Sequence, residues 1–172
     1  MYTIGVTNNY IEGKQMAFFD FLGSAGKNIL GTTQDDAAAI KTEIEGAFSE
    51  LPVQGLVVEV EGETVNLGGV ATDVATKEKA ILIAGNIEGI SQVNAEQLVT
   101  MVQIANENTR EEEVFEPVFY TIEKGDTLWG ISTEFYKDGS KYPLIVDANI
   151  EVIKDADLIY PGQAIRIPEL IV

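Results

Sequence analysis

The chain has 172 residues, enough for one large or two small domains, and an ordinary share of hydrophobic (45%) and charged (23%) side chains. Asp and Glu number 28 against 11 Lys and Arg, a net charge of −17, and such a field repels nucleic acid and anionic headgroups while gathering cations. There is no Cys and no His, which removes disulfides, thiol chemistry, the usual zinc and copper sites and His-based catalysis.

Residues 1–15 are polar without clear periodicity and read as a mobile N-terminal extension. They lack a basic segment followed by a long apolar core, so no secretory signal is expected. Met16 opens a short apolar burst through Phe18, Phe19, Phe21 and Leu22, and is a candidate natural start. Residues 35–51 place Ala37, Ile40, Ile44, Ala47, Phe48 and Leu51 at three- and four-residue spacing, which predicts an amphipathic helix. Asp35 and Asp36 suit its positive N-terminal end, and Pro52 and Gly55 should stop it. Leu56, Val58 and Val60 alternate as a strand, Glu61-Gly62-Glu63 turns, and Val65 and Leu67 begin a partner strand. Asp73 is placed to cap a helix through Lys77, Ile81, Leu82 and Ala84 that ends at Gly85-Asn86. Val93 to Ile104 reads as a further strand. The order α-β-β-α-β predicts one helix layer on a small sheet.

Residues 105–117 are acidic and end in Pro, the pattern of a solvated interdomain linker. Beyond it, Tyr120 to Ile131 predicts a strand, a Gly125 turn and an Asp126-capped helix with Leu128, Ile131 and Phe135 on one face. Ser140 is placed to cap a second helix holding Tyr142, Leu144, Ile145 and Ala148. A Pro161-Gly162 turn leads into a closing strand, with Ile165 and Ile167 inward and Arg166 pointing away. The fold class expected is therefore α+β, in two small domains: α-β-β-α-β over 16–104 and β-α-α-β over 118–169.

Motifs for covalent or phosphate chemistry do not appear. There is no G-x-S-x-G or S-x-x-K nucleophile, no G-x-x-x-x-G-K-[ST] loop and no complete EF-hand. Carboxylate pairs are so abundant in this composition that no chosen pair is informative. No run approaches the roughly eighteen apolar residues of a spanning helix. An enzyme is not expected, nor are nucleic-acid partners or a membrane span.

The stretch around "LGGVATDVATKEKA" and "GNIEGI" resembles a BON domain, and "YTIEKGDTLWGI" with "YPGQAIRIPE" resembles a LysM module. Their co-occurrence in order, after Phe19-Asp20-Phe21-Leu22-Gly23-Ser24-Ala25-Gly26-Lys27, resembles the bacterial potassium binding protein family. That resemblance implies a monomeric cytoplasmic K+ sensor or buffer that compacts on binding. Carried over position by position, it implies K+ held by the backbone carbonyls of Leu22, Ala25, Gly85, Ile87 and Ile90, with Rb+ or Cs+ as substitutes. Carbonyl dipoles suit K+, as in channel filters, and a helix C-terminus leaves carbonyls unpaired. Each of these residues is also explained by folding alone. LysM modules commonly recognise N-acetylglucosamine polymers, so the alternative is a peptidoglycan-binding envelope protein. Its groove would lie between Gly125-Asp126-Thr127-Leu128 and the loop carrying Ile159, with Leu128 and Ile159 as the apolar wall. A structural protein with no ligand is a third reading.

Overall fold

A computed structural model describes residues 10–11, 14–15, 18–24, 26–31, 36–48, 53–106 and 118–169. Met16, Ala25, Asp35, Leu51, Pro52 and most of the expected linker lie outside the described residues. Within the expected N-terminal extension, β1 (Tyr10–Ile11) pairs with β2 (Lys14–Gln15) in antiparallel register.

The first domain contains the expected α-β-β-α-β order: α1 (Asp36–Gly46), β4 (Val53–Glu61), β5 (Thr64–Ala71), α2 (Val74–Gly85) and β6 (Gln92–Thr100). The apolar burst before it supplies one strand more. Phe18–Asp20 forms β3, antiparallel to β6, and the sheet runs β3-β6-β5-β4. Ile40 and Ile44 of α1 and Ala80 to Ala84 of α2 are buried with Val65, Leu67, Val93 and Leu98 of the sheet.

Local chemistry explains most boundaries. Glu61 pairs with Thr64 across a two-residue turn, where Gly62 holds φ 63°. Asp73 caps α2 by accepting from the Thr76 N–H at 2.7 Å. Gly55 does not stop the first helix. It sits inside β4 at φ 64°, where the register shifts between Gln54 and Val57, so it forms a bulge. The last strand ends at Thr100 rather than Ile104. Thr100 N–H donates to Gln103 Oε1 at 2.9 Å, and Gln103 N–H donates to Thr100 Oγ1 at 3.2 Å. This reciprocal capping box opens α3 (Met101–Asn106).

The second domain follows as β7 (Phe119–Thr121), α4 (Leu128–Tyr136), a 3₁₀ turn (Gly139–Lys141), α5 (Tyr142–Ala148) and β8 (Ala164–Arg166). β7 and β8 are antiparallel, and Leu128, Ile131, Ile145, Ile165 and Ile167 form its core. Two expected caps are displaced. Thr127, not Asp126, caps α4 through Gly130 N–H at 3.0 Å. Asp126 instead accepts from the Tyr120 hydroxyl at 2.7 Å and Glu123 N–H at 2.8 Å. Ser140 does not cap α5, which opens from Lys141 without a side-chain cap bond; Asp138 caps the 3₁₀ turn before it, accepting both the N–H and the hydroxyl of Ser140. Those two bonds hold the Asp138 carboxyl below its usual range.

β8 carries the join between the domains. Gln163 O and Ile167 N–H bond toward β7's side, so Ala164 and Arg166 present their backbone groups to the opposite edge. Asparagines satisfy both. Asn149 donates to Arg166 O and accepts from Arg166 N–H, each at 2.8 Å. Asn86, from the first domain, does the same for Ala164 at the same distances. Arg166 does point away from its own domain's core, but it is buried, not solvated. Its guanidinium donates to Ala148 O, to Ala75 O at 3.1 Å and to Glu78 Oε2 at 3.2 Å. Ala75, Glu78, Leu82 and Asn86 thus mark the face of α2 that meets the second domain.

Candidate functional site

Of the residues implied as ion ligands, Leu22, Gly85, Ile87 and Ile90 are described and lie at the exit of α2, along which the N-terminal segment runs. Phe21 N–H donates to Ser91 O at 2.8 Å, Gly89 N–H to Gly23 O at 2.8 Å, Lys27 N–H to Asn86 O at 2.7 Å and Glu88 N–H to Lys27 O at 3.1 Å. Lys27 and Ile87 form a parallel bridge. The segment and the 85–91 loop therefore share one hydrogen-bonded strip.

Small residues make this closeness geometrically necessary. Gly26 has φ 129°, and a Cβ there would lie 2.2 Å from Asn86 O. A Cβ on Gly23 would lie 3.3 Å from Ile90 O, and one on Gly85 would lie 2.3 Å from the Phe21 ring. Phe21 and Phe19 in turn meet the Phe119 ring of β7, at centroid distances of 6.1 and 5.5 Å. The segment is thus held between the exit of α2 and the second domain.

The strip redirects donors away from the helix end. In a continuing helix, Glu88 N–H would serve Ala84 O and Gly89 N–H would serve Gly85 O. Here those donors serve Lys27 O and Gly23 O. Among the described residues, none donates a hydrogen bond to the carbonyls of Leu22, Gly85 or Ile90, while Ile87 O accepts one from Ile90 N–H at 3.1 Å. Ile87 and Ile90 are 1% and 0% exposed, so their side chains belong to the core while their backbones form the loop. The Leu22 side chain is 53% exposed. Ala25 lies outside the described residues. Lys27 turns its ammonium to Glu43 of α1 at 2.7 Å, so the segment's own cation is neutralised there. Among the described residues no cluster of three or more Asp or Glu is arranged to hold a metal.

The interface beside this loop is charged. Burial pushes the Glu78 carboxyl up, and the adjacent Arg166 guanidinium pulls it partly back. Lys79 Nζ lies 3.9 Å from the Glu151 carboxylate, whose side chain is 2% exposed.

The residues of the alternative groove are occupied with folding. Leu128 is 3% exposed and sits in the core, so it offers no wall. Asp126 commits Oδ2 and Thr127 its hydroxyl oxygen to the bonds described above, Ile159 packs against the second core, and Gly125 turns at φ 99°. An open cleft of about 490 Å³ lies between Phe21-Leu22 and the Thr121–Lys124 and Pro161-Gly162 loops.

Sequence reasoning did not identify Asn86, Arg166, Phe119 or Gly26 as members of this region. Gly26 had a signal, since a glycine amid ligand candidates suggests close backbone approach. The others depend on the second domain's position.

Fold and local geometry together define a two-domain protein, a BON unit followed by a LysM unit, with a hydrogen-bonded loop at their junction. The BON family model matches residues 32–101 and the LysM family model residues 120–168; neither is an enzyme family. The chain is 31% identical over 159 residues to Potassium binding protein Kbp of Escherichia coli O6:H1, covering 90% of this chain and 99% of that protein. It belongs to the family of that protein. An uncharacterized protein of Deinococcus radiodurans is 32% identical over 146 residues, 84% of this chain and 56% of its own length. YqbP, an uncharacterized protein of Bacillus subtilis, is 34% identical over 62 residues, 31% of this chain and 28% of its own. No helix among the described residues is long and apolar enough to cross a membrane.

Proposed function

We propose that the chain binds K+ reversibly, as a cytoplasmic sensor or buffer, through the backbone carbonyls of Leu22, Ala25, Gly85, Ile87 and Ile90. The observation that carries the reading is the redirection of the Glu88 and Gly89 donors to the N-terminal segment. It leaves carbonyl oxygens at the negative end of α2 without their helical partners. Such oxygens are neutral, directional and suited to a large, weakly hydrated cation. The printed name of the Escherichia coli relative, and 31% identity over nearly its whole length, support the same ion.

Two of the proposed carbonyls follow β3 in the N-terminal segment, one ends α2 and two follow it. Binding then requires the segment to lie closed on the loop, and K+ shifts a looser ensemble toward this compact form. A closed form selected by the ion is also stabilised by it, by about 2.7 kcal/mol at a hundredfold excess over Kd. Neutral carbonyls give no premium to Mg2+ or Ca2+. Rb+ and Cs+ substitute in part, and Na+ binds poorly.

Isothermal titration calorimetry of the metal-free protein tests this, with KCl against NaCl and choline chloride. Saturable heat with K+, weaker with Na+ and absent with choline, is the expected result. Equal heats for the three salts refute it.

A further inference from the structure

We propose that Asn86 is a positioning residue that links the ion loop to docking of the second domain. The inference rests on the K+ reading above and adds what regulates that site. One residue joins three elements. Its backbone N–H closes α2 on Leu82 O at 3.0 Å, and its backbone carbonyl accepts the N-terminal segment through Lys27 N–H at 2.7 Å. Its side chain, 9% exposed as a residue, donates to Leu82 O and Ala164 O and accepts from Ala164 N–H. It stands between Gly85 and Ile87, both proposed to supply carbonyls. The peptide before Asn86 carries the proposed Gly85 carbonyl, and the peptide after it carries the Asn86 carbonyl that holds the N-terminal segment.

The two Asn–strand pairs on β8 are chemically alike and differently placed. Asn149 also donates to the carbonyl four residues before it, Ile145 O at 2.7 Å, and also pairs both backbone groups of a β8 residue. It stays within the second domain. Asn86 reaches across 78 residues of sequence to the other domain. Buried side-chain amides with both ends satisfied hold a unique geometry. Separation of the domains takes from Ala164 both of its bonds to Asn86 and leaves the Asn86 amide only Leu82 O, so the second domain no longer braces the α2 exit. Closing the loop around an ion fixes the Gly85–Asn86 peptide and presents the amide to Ala164. Ion and docking thus favour one another, and by linkage the effect is reciprocal.

The absence of Cys permits a direct test in the full chain. Labels at Ala38→Cys and Glu134→Cys, exposed on α1 and α4, report the interdomain distance as K+ is added. Calorimetry gives the affinity of the same proteins. Asn86→Ala should weaken K+ binding at least about tenfold, and its interdomain distance should no longer narrow with K+. Asn149→Ala should lower the melting temperature yet keep wild-type affinity and the wild-type distance response. Ala164→Pro probes the link from the far side, should Asn86→Ala fail to fold. It removes the N–H that Asn86 accepts, on the edge of β8 that does not face β7, and should also weaken K+ binding several-fold. Wild-type affinity in Asn86→Ala or Ala164→Pro overturns the link while leaving K+ binding standing, as does equal weakening by Asn149→Ala. A wild-type protein that gives no K+ heat overturns the ion reading itself.

Discussion

Gly26→Ala isolates the contact between the N-terminal segment and the α2 exit. The residue holds φ 129°, and an added Cβ would stand 2.2 Å from Asn86 O, 2.6 Å from Asn86 C and 3.0 Å from Glu88 N. All three are backbone atoms, so no side chain can swing aside. An alanine in this region of φ costs about 1–2 kcal/mol in strain. Relieving the clash also breaks the 2.7 Å and 3.1 Å bonds that flank it, at about 1 kcal/mol each. The closed segment is then disfavoured by about 3 kcal/mol, or roughly 150-fold at 1.4 kcal/mol per decade. Where only the closed form binds, apparent Kd rises in proportion, by up to about 150-fold. The readouts are K+ calorimetry and the K+-induced rise in melting temperature, which should nearly vanish. Gly62→Ala is the control. Gly62 has φ 63° with nothing within 4 Å, so it should cost about 1 kcal/mol of stability without changing K+ affinity. Gly26→Ala binding K+ within about threefold of wild type would refute the argument that segment closure builds the site.

Gly85→Ala places a methyl 2.3 Å from the Phe21 ring and should lower stability by about 1–3 kcal/mol through overpacking, read by urea unfolding; an unchanged midpoint would show that Phe21 yields freely. Arg166→Met leaves Glu78 buried beside no guanidinium, and breaking such a pair costs about 3–5 kcal/mol near neutral pH. The sign with pH follows from Glu78's raised folded pKa. The native state binds the extra proton, so stability is regained as pH falls through that pKa and lost as pH rises through it. The variant raises that pKa further, so its deficit should shrink between neutral and mildly acidic pH; a deficit equal at both would show that the charge is not its cause. Asp126→Ala removes the acceptor of the Tyr120 hydroxyl. Burial and then Asp126 push that phenol well above its usual value, so tyrosinate absorbance should show one group titrating at lower pH in the variant, and an identical alkaline titration would count against the bond.

The parts of the fold that were legible in sequence are those decided within a few residues. The Asp73 cap and the Gly62 turn depend on atoms three residues apart, and both form where the pattern places them. The Thr100–Gln103 capping box was equally local, but Val102 and Ile104 prolong the apolar pattern of the strand and mask it. Asp126 and Thr127 are adjacent and both suited to cap a helix; the Tyr120 hydroxyl, six residues back, draws Asp126 away and leaves Thr127 the role. Arg166 obeys strand alternation, yet only the presence of α2 turns its outward face into a buried one. The candidate site is the least legible part. Carbonyl oxygens exist at every residue, so side-chain identity marks such a site only where glycine admits close backbone approach, and the resemblance carried the rest.

The outer edge of β8 has one further consequence. Three residues long and flanked on one side only by β7, it would expose free N–H and C=O groups of the kind that recruit another chain as an extra strand. Asn149 blunts half of that edge permanently, and Asn86 blunts the other half only while the domains are together. Opening the molecule therefore uncovers a short adhesive strand at Ala164. A population held open, by ion depletion or by mutation at the α2 exit, should be the one that self-associates as concentration rises.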